Sequence, residues 1–336
     1  MANIRAYSRR AVLLTAGAVL ASTSWNSLAA DATHEITFAN RNATGEELVN
    51  AFFDLLSSTG SPTGIVGTTT EQDDASKALV KPYLDPAFQL QRSSGERYVA
   101  STYVPADVDD FEIGDVRESR PTNDVLVVRY SVRTTQTLPD AALVMSKEKA
   151  PRLTVFHWSD ADTCWRVLSH GNFNTPIASV CDRDPSVDNG MRSSAQGEDQ
   201  ALGESLIGRF YDLLVIGDSA PILHPFFQYQ SAIGVGFTTL AERKKTTKFP
   251  KTSFEHAVVT RNGKLLVVSV YCETATERLL MQQYKLRAGK SMHLATFIED
   301  NVGTWSMIAL ASFIPAESLP ESAECVPEGK LEEAQL

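Results

Sequence analysis

One sequence pattern occurs twice in the chain, and this internal repeat constrains the fold more than any other feature. The matched blocks keep their order: LVNAFFDLL (48–56) with LIGRFYDLL (206–214), LDPAFQLQ (84–91) with LHPFFQYQ (223–230), and residues 126–173 with 266–313. The last block aligns without a gap, which places Trp165 opposite Trp305 and Phe173 opposite Phe313. Self-similarity at a fixed period indicates duplicated structural units. The sequence therefore predicts two copies of one domain.

The repeat also sets the domain boundaries. We place repeat 1 at 44–181 and repeat 2 at 204–316, joined by a linker at 182–203 that is polar and lacks apolar periodicity. An acidic tail follows at 317–336. The spacing between matched blocks falls from 158 to 139 residues, so repeat 1 carries 19 extra residues in the Gly/Thr-rich stretch 57–76.

The first 30 residues have the pattern of a signal peptide. Arg5, Arg9 and Arg10 precede an apolar run at 11–22 that is too short to span a membrane, and small residues close the segment. The sequence SRRAVL at 8–13 favours the bacterial twin-arginine route. We expect an exported protein, periplasmic or extracellular; the alternative is an uncleaved, frayed apolar tail.

The charge balance excludes one class of partner. The chain has a net charge of −10, and loss of the first 30 residues, which hold three arginines and no acid, would make it −13. Such a protein repels phosphate backbones, so we expect no nucleic acid partner. Beyond the N-terminus, no apolar run approaches the ~20 residues of a membrane span, so we expect none.

The four cysteines give no metal-binding pattern. The chain has no CxxC motif and no Cys/His spacing typical of zinc, and it lacks nucleotide-binding loops, so we expect neither a metal nor a cofactor. Cys272 falls on the apolar face of a predicted strand and is expected to be a buried, inert thiol. Cys164, Cys181 and Cys325 allow one disulfide and one free thiol, and the pairing stays open.

Apolar periodicity predicts a helix followed by strands in each repeat, which is an α+β class. Leu48, Phe52, Leu55 and Leu56 share one face of the first helix. We expect further short helices before LDPAFQLQ and at SGERYVASTYV. Strict alternation in the final hairpin of repeat 1 predicts one shared inner face for Phe156, Trp158, Trp165, Val167, Ser169, Gly171 and Phe173, with His157 and His170 on the opposite face.

The FFDLL helix, the DPAFQ block, the SGERYVASTY segment and the Trp-bearing hairpin together resemble the nuclear transport factor 2-like superfamily. That superfamily includes SnoaL-like cyclases and ketosteroid isomerase. The resemblance implies two tandem cone-shaped domains, each a curved antiparallel sheet wrapped around a long N-terminal helix. Members commonly pair sheet to sheet, so it also implies an intramolecular pseudo-dimer of the two repeats.

The same resemblance argues against isomerase chemistry. Ketosteroid isomerase uses a tyrosine on the first helix and an aspartate base after the DP-like block; here those positions are Phe52 or Phe210 and Gln91 or Gln230. Phenylalanine cannot donate a hydrogen bond to an oxyanion, and glutamine is not a useful base. We predict no catalytic residue. The residues expected to line a ligand pocket are Phe52, Gln91, Tyr98, Tyr130, Trp158, Trp165 and Ser169.

Three functions remain as hypotheses. The leading one is non-catalytic binding of a small apolar molecule in a cone pocket. The second is a SnoaL-like or isomerase-like enzyme with displaced catalytic groups. The third is a protein-interaction module that uses the sheet faces. Because repeat 1 carries the 19-residue insertion and several tyrosines, we expect it to be the binding half.

The signal segment gives a direct prediction. We expect secretion with cleavage near Ala30, and replacing Arg9 and Arg10 with Lys should block export because the twin-arginine pathway reads that pair. Fractionation and N-terminal sequencing of the secreted form check both statements. Normal export of the double variant would remove the twin-arginine route and leave secretion standing.

Overall fold

The computed structural model describes residues 34–58, 77–92, 97–103, 105, 108, 110–137, 143–145, 149–173, 197–231, 236–237, 251–274, 278–280, 284–286 and 289–313. The predicted signal segment, most of the linker, the acidic tail, Cys181 and Cys325 lie outside these residues. The described residues form two units, which we call unit 1 (within 34–173) and unit 2 (within 197–313). No described helix is both long and apolar enough to cross a membrane.

Each unit contains one long helix and one main sheet, and unit 2 also contains a separate two-stranded sheet. Unit 1 contains α1 (Gly45–Ser58), β1 (Leu84–Arg92), β2 (Arg97–Val99), β3 (Phe111–Thr122), β4 (Val125–Thr137), β5 (Leu143–Met145), β6 (Ala150–Ser159) and β7 (Cys164–Asn172). Unit 2 contains α2 (Glu198–Ile216), β8 (Leu223–Ser231), β9 (Gly236–Phe237), β10 (Thr252–Asn262), β11 (Leu265–Thr274), β12 (Arg278–Leu280), β13 (Tyr284–Leu286), β14 (Gly289–Glu299) and β15 (Trp305–Phe313). The predicted α+β class with two domains is confirmed.

The two main sheets have the same strand order. Unit 1 runs β2-β1-β7-β6-β4-β3, with β5 added to β4, and unit 2 runs β9-β8-β15-β14-β11-β10. In each sheet the first strand pairs parallel to the last, β1 with β7 and β8 with β15. The expectation of purely antiparallel sheets is therefore wrong at this one pair. The apolar periodicity of a strand does not show whether it pairs parallel or antiparallel with a strand that is distant in the sequence.

The helix expected at SGERYVASTYV is also wrong. Residues 97–99 form β2, which pairs with β1, and a turn follows at 100–102. In unit 2, Gly236 and Phe237 are likewise extended, and the rest of the matching stretch lies outside the described residues. A short segment with mixed polarity does not distinguish a helix from an edge strand.

A capping box begins α1. The Thr44 hydroxyl accepts a hydrogen bond from the Glu47 backbone N–H, and the Glu47 carboxylate accepts one from the Thr44 N–H at 2.8 Å. The apolar face of α1 then packs on the sheet. Leu48, Phe52, Leu55 and Leu56 all join the core of unit 1, as their spacing predicts.

Equivalent glycines let both helices approach their sheets closely. A Cβ added to Gly45 would lie 2.8 Å from Val128 Cγ2, and one added to Gly203 would lie 2.6 Å from Val259 Cγ2. Gly203 lies within α2, because residues 198–203 are helical. The predicted linker 182–203 therefore extends too far at its C-terminal end. In the sequence, a glycine that is needed for helix–sheet packing looks the same as a glycine that marks a loop.

Each sheet has an inner face, which packs on its own helix, and an outer face, which packs on the other sheet. The outer faces share one apolar cluster formed by residues of both units: Ala87, Val125, Val127, Leu153, Val155, Leu168, Phe173, Leu265, Val267, Leu294, Ile298, Ile308, Ala309, Ala311 and Phe313. The Phe173 and Phe313 rings stack at a centroid distance of 4.3 Å. These two phenylalanines are matched positions of the repeat, so the contact is built from the same element of each unit.

A buried glutamine of β1 bonds across this contact. Gln89 is fully buried, and its Nε2 donates to Thr260 Oγ1 and Val267 O at 2.9 Å and to Val258 O at 3.1 Å. Thr260 in turn donates to Ala87 O at 2.5 Å. The side-chain amide thereby connects β1 to both β10 and β11.

The reciprocal glutamine makes the same pattern in the other direction. Gln228 of β8 is fully buried, and its Nε2 donates to Ser119 Oγ at 2.9 Å and Val127 O at 2.7 Å. Ser119 in turn donates to Phe226 O at 2.9 Å. Each matched glutamine therefore contacts the same strand pair of the opposite unit, as the two sides of an isologous interface do.

A buried carboxylate completes the polar part of the contact. Asp85 is fully buried and accepts hydrogen bonds from Asn262 Nδ2 at 2.9 and 3.1 Å and from the Ala87 N–H at 2.8 Å. His157 Nδ1 lies 2.8 Å from the same carboxylate. His157 is therefore on the outer face, where the alternation predicts it. Its partner Asp85 lies on β1 and also bonds to Asn262 of β10, so this carboxylate connects β6, β1 and β10.

Substitution of the two glutamines tests the contact. Gln89→Glu and Gln228→Glu should each lower the free energy of unfolding by about 2–4 kcal/mol, because a carboxylate would face carbonyl oxygens in a buried site. Gln→Met at the same positions keeps the shape without adding a charge and should cost about half as much. Urea denaturation measures both sets; Glu variants as stable as the wild type would contradict this account.

Candidate functional site

A bulge in β7 decides which residues face the interior of unit 1. Phe156 pairs with Val167 but the preceding Val155 pairs with Ser169, so Leu168 is an extra residue. The alternation inverts after it: Trp165 and Val167 join the inner core, whereas Leu168 and Phe173 join the outer-face cluster. The single continuous face predicted for this hairpin is therefore wrong.

Two predicted pocket residues, Ser169 and Gln91, lie between the sheets. Ser169 Oγ lies 2.8 Å from Thr296 Oγ1 of the other unit. Gln91 donates from Nε2 to Arg92 O at 2.9 Å and lies 3.2 Å from Met292 Sδ. Their predicted place on the inner face is wrong; for Ser169 the cause is the bulge. Gln91 instead follows the outward alternation that Gln89 begins.

Four predicted residues do meet on the inner face. Phe52, Tyr130, Trp158 and Trp165 belong to one buried core, and the two indole rings meet edge to face at 5.7 Å. Trp165 Nε1 donates to Asn40 O and Trp158 Nε1 to Asp160, each at 3.0 Å. Both indoles are thus satisfied and packed, which makes them walls of the interior.

Tyr98 lies at the open edge of this interior. It is partly buried on β2, opposite Leu90. Its ring meets that of Tyr103 at 6.0 Å, and the Arg92 guanidinium lies 5.1 Å from the Tyr98 ring centroid. Burial raises the pKa of Tyr103 to about 12, so the ring of Tyr103 is a neutral, amphipathic surface.

A chain of polar side chains runs through the same interior. Tyr130 OH lies 3.1 Å from Thr154 Oγ1, which lies 2.8 Å from His170 Nδ1. His170 was predicted on the opposite face, and the bulge turns it inward against Phe52 at a ring distance of 5.5 Å. Burial, with the nearby Arg152 and Arg92 charges, lowers the pKa of His170 to about 3. His170 is therefore neutral and a poor base near neutral pH.

Next to this chain, four residues form a row across four adjacent strands, which we call the polar row: Arg92, Asn172, Arg152 and Tyr130. Register pairs Arg92 with Asn172, Asn172 with Arg152, and Arg152 with Tyr130. The row lies at the end of the sheet away from the β6–β7 turn. It places two cations on the inner face of an otherwise acidic chain.

Unit 2 has a different row at the matching place. Its members are Ser231, Ser312, His293 and Val270, joined by the same pairings. His293 Nε2 lies 2.9 Å from Ser312 Oγ, and its Nδ1 lies 2.6 Å from Tyr211 OH. Burial lowers the pKa of His293 to about 4, so this row carries no charge near neutral pH.

The two described cysteines, Cys164 and Cys272, offer no reactive site. Tyr211 OH also lies 2.6 Å from Cys272 Sγ, and burial raises the pKa of that thiol to about 12. Cys272 is thus the buried, inert thiol that the sequence predicts. Cys164 is half-buried and forms no disulfide with another described cysteine; because Cys181 and Cys325 lie outside the described residues, their pairing stays a prediction. The thiolate, which is the reactive form, is disfavoured at both described cysteines.

A groove of about 460 Å³ lies outside the cone, beside α1. His34, Glu46, Glu47 and Asp54 are among its lining residues, and desolvation raises the pKa of Asp54. Asp54 therefore points away from the inner face. In the part of the chain that the structure describes, no group of three potential metal ligands comes together.

The sequence analysis missed the residues that most distinguish the two interiors. Arg92, Arg152 and Asn172 were not singled out, because they become neighbours only through strand pairing. The available signal was weak: Arg152 lies one position from the residue that the ungapped alignment matches to His293. Pairing shifts β6 relative to β14 by one residue and brings Arg152 and His293 into correspondence.

No family model matches the chain, and no curated protein matches it. It is similar in structure to a nuclear transport factor 2-like protein with a cystatin-like fold from Novosphingobium aromaticivorans, at 15% identity over 35% of this chain and 82% of that chain, with a TM-score of 0.28. A nuclear transport factor 2-like protein from Cytophaga hutchinsonii matches at 14% identity over 35% and 99%, with a TM-score of 0.29. The association domain of Caenorhabditis elegans CaMKII matches at 10% identity over 35% and 99%, with a TM-score of 0.28.

The first two structures carry the name of the superfamily that the repeat motifs resemble. No functional conclusion follows from likenesses at this level. The strand order and packing of the two units themselves describe the fold.

The two buried histidines predict a pH dependence of stability. Their folded pKa values lie below the unfolded value of about 6.5, so the unfolded chain binds more protons and stability falls as pH decreases from about 6.5 toward 4. His170→Leu, which installs the residue of the matching position Leu310, should reduce that slope by up to about 1.4 kcal/mol per pH unit. Denaturant unfolding at several pH values measures the slope; an unchanged slope would contradict the buried, neutral state of His170.

Proposed function

We propose that this protein binds one small apolar molecule in the cone of unit 1 and catalyses no reaction on it. The observation that supports binding is the partly open aromatic edge of the inner face. Tyr98, Phe111 and Ile113 are only partly buried, yet they pack on the apolar core of unit 1. Such a surface is typical of ligand sites, which are mostly apolar with a few polar groups.

The residues around the polar row support the non-catalytic part. Neither the polar row nor the next row inward, which holds Leu90, His170, Thr154 and Val128, contains a carboxylate. Tyr130 has a pKa raised by burial, and His170 has one lowered to about 3. A general acid or base works best with a pKa near the working pH, and both groups are far from it.

The sheet-to-sheet contact weakens the interaction hypothesis. The outer faces that a partner protein would use are buried against each other. We propose instead that the two units act as an intramolecular pseudo-dimer, in which unit 2 stabilises the sheet of unit 1. We further propose that the mature protein works outside the cytoplasm, as the signal segment predicts.

Binding of a neutral fluorescent probe tests this function. N-phenyl-1-naphthylamine should bind the mature protein saturably at one site. Ile113→Trp should weaken binding at least tenfold, because a larger side chain would fill the edge of the cone. The matched control is Phe254→Trp in unit 2, since Phe254 pairs with Cys272 as Ile113 pairs with Val132. It should change affinity less than twofold.

Two results would overturn the proposal. Absence of saturable binding to the wild type would remove the apolar site. Equal weakening by both tryptophan variants would show that the site is not in unit 1.

A further inference from the structure

The interior of unit 1 contains a buried cation that the fold does not neutralise. Arg152 of β6 is 8% exposed and lies on the inner face between Tyr130 and Asn172. Its Nη1 donates to the backbone oxygens of Pro151 and Phe173. Among the described residues it contacts no carboxylate, and its buried Nε has no hydrogen-bond partner.

The surrounding charges make this state unfavourable without an anion. Burial, against an opposing contribution from Tyr130 and together with the nearby Arg92 charge, lowers the pKa of Arg152 to about 10. Tyr130 and His170 are neutral at physiological pH, so neither of them compensates the charge. Burying an ion without a counter-ion is costly in proteins, and an opposite charge placed beside it recovers part of that cost.

The second unit shows that the fold does not require a cation here. The residue at the matching place is His293, a neutral side chain whose two ring nitrogens face Tyr211 and Ser312. Both of these partners belong to unit 2. The same strands and pairings therefore form with a neutral histidine at this place, which makes the arginine of unit 1 a feature of its site and not of its architecture.

Apolar side chains lie on both sides of the polar row. On the side of the row away from the β6–β7 turn, Val132 pairs with Ala150 and Ile113. On the side nearer the β6–β7 turn lie Leu90 and the core around Phe52. A molecule that reaches Arg152 must therefore carry an apolar body beside its charged end. A guanidinium presents two parallel N–H donors, a geometry that fits a carboxylate.

We propose that the ligand of unit 1 is a small amphipathic monocarboxylate whose acid group pairs with Arg152 in the polar row. The inference rests on the proposed function and adds the chemical class of the ligand. The apolar tail lies against the aromatic interior, and Arg92 and Tyr130 flank the carboxylate. Unit 2, which lacks the cation, does not bind this class.

Calorimetry with two probes of equal chain length tests the inference. Decanoate should bind the wild-type mature protein at least tenfold tighter than decan-1-ol, at one site. Arg152→Met removes the charge at similar length and should reduce that preference to less than threefold. Arg152→Lys keeps the positive charge but lacks the two parallel N–H donors of the guanidinium, so it should retain part of the preference for decanoate. His293→Met, the matched variant in unit 2, should leave the preference unchanged.

The outcomes separate this inference from the proposed function. If N-phenyl-1-naphthylamine binds but decanoate is not preferred over decan-1-ol, the carboxylate site is wrong and the apolar site stands. The same holds if the preference survives Arg152→Met. If no apolar probe binds the wild type, both proposals fall. Should Arg152→Met not fold, as judged by circular dichroism, a full wild-type preference in Arg152→Lys would overturn the role of the guanidinium fork.

Discussion

Burial of the two outer sheet faces against each other is the interaction on which the rest of the structure depends. This burial explains why each sheet is apolar on both faces. It also explains the small residues Gly171 and Ala311 at the contact, because a Cβ added to Gly171 would lie only 2.8 Å from the Cβ of Ala311. It also explains the reciprocal glutamines, since a buried amide must bond across the contact or remain unpaired. The apolar residues of the two outer faces are buried in this contact.

This pairing leaves the inner faces free to differ. The outer faces must remain complementary to each other, so matched positions there keep similar roles, as Gln89 and Gln228 do. The inner faces pack on the helices and loops of their own units. In the row of unit 2, His293 faces Tyr211 and Ser312, whereas Arg152 of unit 1 contacts no described carboxylate and its Nε has no hydrogen-bond partner. Duplication followed by divergence of one interior is a direct route to a stabilising half and a binding half.

The sequence predicted the features that depend on local pattern. The repeat, the amphipathic helices and the α+β class follow from periodicity, and Cys272 was placed correctly on an apolar face. It could not predict the bulge at Leu168, because one extra residue inverts every later side chain while leaving composition unchanged. That bulge moved Ser169 out of the predicted pocket and His170 into it. The polar row was invisible for a related reason: its four residues come from four strands.

Hydrogen exchange of the mature protein with and without decanoate tests the central claim, that the two interiors have divided their roles, most directly. The account predicts slower exchange in β1, β6 and β7 around Arg92, Arg152 and Asn172. It predicts no change around Ser231, His293 and Ser312, although these residues occupy the matching places. Protection in unit 2 alone, or equal protection in both units, would contradict the division of roles.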